Sequence, residues 1–189
     1  MLVYSLLKYF YYWIYDVIVF IKLTSKFKSI SIAIPSKVNI SNYKNVTFGK
    51  NVIIGAFSEV VVLNDPLNKN EISFLSIGNN VTVGSHANIR ASGGAIIVGD
   101  DALLAQGVSL IAANHVIGGS ALYRNSKWDT SRVGIEIGRN VWIGANVVIL
   151  PGVHVGDNSI IAAGSIVTTS VPGNQIWGGV PARLLKVIS

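Results

Sequence analysis

The sequence predicts an all-β chain wound into a parallel β-helix, and three observations carry that prediction. Residues 137–172 read IGRNVW, IGANVV, ILPGVH, VGDNSI, IAAGSI and VTTSVP, six units of six residues without a gap. Each unit opens on an aliphatic residue: Ile137, Ile143, Ile149, Val155, Ile161 and Val167. The same beat recurs upstream from Phe48, Ile54 and Val60, from Ile77, Val83 and Ile89, and from Val98, Leu104 and Leu110. A period of six matches neither the 3.6 of a helix nor the 2 of an alternating strand. It marks stacked turns of short strands and corners, three units closing one triangular turn. Each leading aliphatic then points inward and stacks on its counterpart eighteen residues later.

Before the coil, Met1 to Leu23 contains neither Pro nor Gly. At 100° per residue Leu2, Leu6, Phe10, Trp13, Val17, Phe20 and Leu23 share one arc, with Val3, Leu7, Ile14 and Ile21 at its edge. Ser5, Lys8, Tyr12, Asp16, Lys22 and Lys26 lie opposite, with Val19 the main exception. Residues 1–30 are therefore predicted as an amphipathic helical segment and 31–189 as the coil domain. A secretory signal is disfavoured, because no basic stretch precedes the apolar run and no small-residue cleavage site follows. A spanning helix is disfavoured because Lys8 and Asp16 would each cost about 2.5–3.5 kcal/mol near the bilayer centre. Two roles fit: a cap over the open end of the coil, or peripheral contact of residues 1–28 with an anionic membrane surface.

Ile34 and Ile40 are the candidate leaders of an earlier, irregular turn. The rhythm then slips three times. About eleven residues loop out between Val60 and Ile77, and three extra residues around Gly93 and Gly94 suggest a bulge or widened corner. The longest excursion, Val116 to Glu136, separates Leu110 from the next leader, Ile137. Excursions from a regular scaffold are where function concentrates.

Length and composition agree with one domain: 189 residues, 50% hydrophobic and 13% charged. Glycine is frequent, as corners at positive φ require. The absence of Cys excludes disulfides, thiol nucleophiles and Cys-ligated metals. Three histidines, His86, His115 and His154, have no tight ligand spacing, so no metal site is expected. Residues 1–45 carry six lysines against Asp16, whereas the other 144 residues balance nine cations with eight anions. The basic charge thus belongs to the N-terminal segment; no Lys/Arg stripe follows the repeats, which argues against nucleic acid as a partner.

From about Phe48 to Lys186 the chain resembles the hexapeptide-repeat acyltransferases of the left-handed β-helix. Within them it is similar to the sugar O-acetyltransferases, such as the galactoside and maltose enzymes and those acting on capsule, O-antigen and colanic acid. The residues that carry the resemblance are Ile137-Gly-Arg-Asn-Val-Trp-Ile-Gly, Pro151-Gly-Val, Ala163-Gly-Ser-Ile-Val-Thr and Gly179-Val-Pro-Ala-Arg183. The resemblance implies a left-handed coil, a departure from the usual right-handed crossover rule. It also implies a homotrimer, acetyl-CoA as co-substrate, no metal, and a sugar or lipid-linked glycan as acceptor. A cytoplasmic location follows from it, with the N-terminal segment favouring the inner face of the cytoplasmic membrane.

The resemblance makes His115, which closes the unit Leu110-Ile-Ala-Ala-Asn-His where the long excursion departs, the catalytic base. Acetyl transfer from a thioester to an alcohol needs the alcohol proton removed, and an imidazole exchanges protons near neutral pH. Direct attack needs no Cys or Ser nucleophile. The resemblance further implies the backbone N–H of Ala145 as oxyanion donor, with Gly144 allowing close approach. It lines a CoA groove with Trp142, Ala145, Ala163, Thr168 and Arg183, to which Lys186 adds a second cation one turn on in a short C-terminal helix. Thr169 stands where relatives often carry Lys, so one phosphate contact is missing from the pattern. Trp142 would equally suit a subunit interface, and Arg183 a helix end. Asn88 resembles an acceptor-binding asparagine; a corner Asn in left-handed backbone is the plainer alternative. Tyr123 and Trp128, with Arg124, Lys127, Asp129 and Arg132 in the excursion, suit a sugar acceptor or a neighbouring subunit. His86 and His154, at non-leading positions, read as surface or interface residues. An amino-sugar N-acetyltransferase, a serine acetyltransferase and a non-catalytic β-helix assembly protein are the alternatives.

Overall fold

The computed structural model describes residues 30–33, 36–40, 43–64, 73–118 and 122–188, with scattered positions between 10 and 26. The amphipathic helix expected over Met1–Leu23 therefore lies largely outside the described residues. The rest is a triangular coil with three parallel faces. The first face stacks Ile30–Ile32, Val52–Ile54, Thr82–Val83, Leu103–Leu104, Trp142–Ile143 and Ile160–Ile161. The second stacks Lys37–Ile40, Glu59–Val62, Asn88–Arg90, Ser109–Ile111, Val148–Ile149 and Ile166–Val167. The third stacks Val46–Phe48, Phe74–Ile77, Ala95–Val98, Ile135–Ile137 and Val153–Val155.

The six-residue beat sets the register. Ile137 pairs with Val155, Ile143 with Ile161 and Ile149 with Val167. The columns survive the slips: Phe48–Ile77–Val98–Ile137, Ile54–Val83–Leu104–Ile143 and Val60–Ile89–Leu110–Ile149 each run in register. Every leader from Ile54 to Val167 is at most 2% exposed. Burial of each such side chain contributes about 1.5–3 kcal/mol, so the columns are the main source of stability.

Two expectations are corrected. The earliest turn is led by Ile32, which pairs with Ile54, and by Val38, which pairs with Val60; Ile40 pairs with Val62 instead, and Ile34 lies outside the described residues. Ile30, Ile32, Val38 and Ile40 alternate at period two, so a shift by two leaves the aliphatic pattern unchanged and only the ladder decides. The short C-terminal helix is a strand. Gln175–Gly179 continues the first face beyond Ile160–Ile161, and Ala182–Val187 folds back antiparallel on it. The stretch Ala182-Arg-Leu-Leu-Lys favours a helix locally, but the open edge of the sheet offers a row of unpaired backbone groups that outweighs the propensity.

The glycines that follow the leaders serve the stacking of coils rather than positive φ. A Cβ on Gly144 would lie 2.6 Å from the amide nitrogen of Ala163 in the next coil. The left-handed corner between the third and first faces is held by Asn51, Asn80, Asp101, Asn140, Asn158 and Asn174, at φ between 53° and 60°. Their side chains form a ladder: Asn140 donates to Asn158 at 2.9 Å, and Asn158 to Asn174 at 3.2 Å.

Candidate active site

The long excursion leaves the second face after Ser109–Ile111 and rejoins the coil at Ile135–Ile137. Its neck is a two-stranded clamp. The amide of Val116 donates to Lys127 O at 2.9 Å, that of Asp129 donates to Asn114 O at 2.7 Å, and His115 pairs with Trp128 between them. Asp129 accepts from both the amide and the hydroxyl of Ser131, which holds its carboxyl below the ordinary carboxylate range and turns the chain after the clamp.

The exposed His115 imidazole stands on this neck, and its Nδ1 lies 2.9 Å from the carbonyl oxygen of Ser126. A carbonyl only accepts, so Nδ1 carries the proton, and in the neutral ring Nε2 is the acceptor. The orienting group is a backbone atom, which no residue type in the sequence signals. The Trp128 indole stacks on the imidazole, centroids 4.4 Å apart and planes at 21°. Beneath it, a Cβ on Gly93 would lie 2.6 Å from Trp128 Cγ, so the three-residue slip at 91–94 forms the floor of the indole.

Asn88 belongs to a strand on the second face, between Glu59 and Ser109, and not to a left-handed corner. Its Oδ1 and Trp128 Nε1 are the buried side-chain polar atoms without a hydrogen-bond partner among the described residues. Tyr123 opens a short 3-10 turn and is 64% exposed, with Leu122 beside it.

The remaining predicted site residues gather elsewhere on the coil. Ala145 and Ala163 sit at the corner between the first and second faces, where Ala145 O accepts from Gly164. Trp142 lies outward on the first face between Leu103 and Ile160, half exposed. The C-terminal strand extends this column. A bulge at Leu185 makes Arg183 pair with Gly178 and Lys186 with Ile176, so both cations occupy one side of the hairpin. Arg183 donates to the carbonyl of Ala182 at 2.8 Å. Thr168 ends the second face, and exposed Thr169 follows. Arg132, read from the sequence as an acceptor-loop cation, instead crosses Gly152 and donates to the carbonyl of Thr168. His154 lies 3.4 Å from Glu136, and His86 packs on Phe57; both histidines are exposed on the coil surface.

The repeat models agree with this geometry: a bacterial transferase hexapeptide of six repeats matches residues 134–169, and a hexapeptide repeat of succinyl-transferase matches 75–112. The chain is 30% identical to the putative lipopolysaccharide biosynthesis O-acetyl transferase WbbJ of Escherichia coli, over 78% of this chain and 74% of that protein. This chain belongs to the hexapeptide-repeat acetyltransferase family. The galactoside O-acetyltransferase of Escherichia coli is a second hexapeptide relative, 39% identical over 61% of this chain; the match spans 58% of that enzyme's length. Among solved structures, a galactoside acetyltransferase in complex with coenzyme A superposes with a TM-score of 0.55 at 29% identity, covering 88% of this chain and 68% of that one. The fold is the left-handed β-helix of the hexapeptide acetyltransferases.

Proposed function

We propose that this hexapeptide-repeat protein transfers the acetyl group of acetyl-CoA to a sugar hydroxyl, with His115 as general base. The observation that carries the reading is the bond from Nδ1 of His115 to Ser126 O, which in the neutral ring makes Nε2 the acceptor, on an exposed side chain at the neck of the excursion. Nε2 accepts the proton of the acceptor hydroxyl as the oxygen bonds to the thioester carbon. The negative charge that develops on the carbonyl oxygen is met by the amide of Ala145, which no carbonyl among the described residues engages. As the C–S bond breaks, the imidazolium returns the proton to the departing CoA sulfur.

The small residues Gly144, Ala145 and Ala163 leave a bare corner on which a pantetheine arm can lie against backbone. Trp142 flanks it, and Arg183 and Lys186 supply cations for a nucleotide phosphate, while Thr168 and Thr169 lie at the far end of the second face. His115 stands at the other corner of the second face, one side of the triangle away, on the order of 15 Å at strand rise. Base and donor groove of one chain are therefore too far apart to share one acetyl group. A second copy that brings its groove to His115 completes the site, and a homotrimer does this three times over. Asn88 and Tyr123 face the acceptor.

The similarity to WbbJ favours an acceptor in surface-polysaccharide assembly, and the basic residues 1–28 favour work at the inner face of the cytoplasmic membrane. The deciding experiment supplies acetyl-CoA with free sugars, amino sugars, serine and lipid-linked glycans, and follows CoA release and ester formation. Alkali-labile O-acetyl sugar is the expected product. An alkali-stable amide, or no transfer to any glycan, would refute the reading.

A further inference from the structure

We infer that Trp128 is a positioning residue for His115, and that the break in the six-residue rhythm at 91–94 exists to seat it. The inference rests on the reading of His115 as the base. His115 and Trp128 face each other across the neck, which puts both side chains on one side of the clamp. Their rings stack at 4.4 Å. Below the indole the backbone of Gly93, at φ +74°, leaves space that any side chain would fill; Ala113 lies 2.9 Å from that same point.

This floor is fixed in turn. The amide of Gly93 donates to Ser73 Oγ at 3.0 Å, and that hydroxyl donates to Leu63 O at 2.6 Å. The first excursion, the widened corner and the long excursion thus meet in one stack: Ser73, Gly93, Trp128, His115. An unbroken hexapeptide rhythm has no such socket.

The imidazole is held by two independent contacts. Ser126 O sets the rotation of the ring in its plane, and the indole face sets its tilt. Nε2 then keeps one direction, and a general base works only when it is aligned with the proton it takes. The indole face also favours the imidazolium that forms as the proton arrives, by cation–π attraction. Nε1 of Trp128 is buried without a hydrogen-bond partner among the described residues, and the contact with His115 is made by the face of the ring.

The test combines proton NMR with kinetics on the full chain. The sequence holds three histidines, and His115→Ala identifies the signals of His115. In the wild type its ring protons lie upfield of those of His154, displaced by the indole ring current. Trp128→Leu abolishes that displacement and lowers kcat by about 10²-fold with acceptor KM little changed. Trp128→Phe, which keeps an aromatic face, retains most of both, and Gly93→Ala, which lifts the indole, reproduces the loss with both ring residues unsubstituted. A raised acceptor KM with unchanged kcat and unmoved His115 signals would make Trp128 an acceptor surface and overturn the inference. So would wild-type His115 signals that show no displacement. If His115→Ala retains transfer, the base reading has failed, and the NMR signals still decide whether the stack exists.

Discussion

His115 Nδ1 donates to the carbonyl oxygen of Ser126 at 2.9 Å, and through this bond an eleven-residue separation in sequence becomes a fixed tautomer. The first prediction follows from it. His115→Ala lowers kcat by about 10²–10⁴-fold, the usual cost of losing a general base, while acetyl-CoA binding is retained. Steady-state rates and calorimetric CoA titration measure the two separately. A rate within a few-fold of wild type removes His115 from the chemistry.

Arg132 ties the returning limb of the excursion to Thr168 over the bare backbone of Gly152. The bond joins the loop that carries the base to the end of the last second-face strand, at the corner from which that loop departs. Arg132→Ala should accelerate hydrogen exchange at the amides of Val116 and Asp129, which close the neck, and leave the buried strand at Ile143 unchanged. Gly152→Ala should do the same by displacing the arginine stem. Unaltered protection at the neck in both variants would show that the strap does not hold the loop.

The coil was legible in the sequence because one leading residue in six is buried at each level, and burial of an aliphatic leaves a pattern that survives insertions. The columns from Ile54 to Val167 and the three slips were read from that pattern alone. What the slip at 91–94 accommodates was not legible, because its occupant, Trp128, lies more than thirty residues on in an aperiodic loop. The partner of His115 is a backbone carbonyl, and Arg132 reaches another; such acceptors exist at every residue and mark none. The C-terminal strand was misread because Ala182-Arg-Leu-Leu-Lys carries helical propensity, whereas the edge that captures it belongs to Gln175–Gly179.

The asparagine ladder separates two effects that glycine corners merge. Asn158 holds φ 58°, donates to Asn174 and accepts from Asn140. Asn158→Ala keeps the left-handed backbone but adds its steric cost, about 1–2 kcal/mol, to the loss of both bonds. Asn158→Gly loses the same bonds without that cost. Urea denaturation should therefore rank the proteins Asn, then Gly, then Ala. An alanine variant as stable as the wild type would mean that neither the ladder nor the corner conformation contributes.

The bulge at Leu185 has a consequence for the donor. Arg183 and Lys186 are three residues apart, and in a regular strand they would face opposite sides; the register shift places them with Gly178 and Ile176 on one side. That side continues the column Leu103, Trp142 and Ile160. Two cations on the outward side that also carries the exposed Trp142 indole suit the nucleotide end of acetyl-CoA, which is remote from the reacting carbon and is bound equally in ground and transition states. Arg183→Ala should therefore raise KM for acetyl-CoA on the order of tenfold, the effect of losing one charge-assisted bond of about 1.5 kcal/mol, with kcat nearly unchanged. Lys186→Ala should act in the same direction with a smaller effect, because an ammonium lacks the bidentate fork. Both shifts should shrink when dephospho-CoA thioesters replace acetyl-CoA, since the phosphate is the group the cations meet. A fall in kcat at unchanged KM would place Arg183 near the reacting carbon instead, and unchanged kinetics in both variants would remove the C-terminal strand from the donor groove.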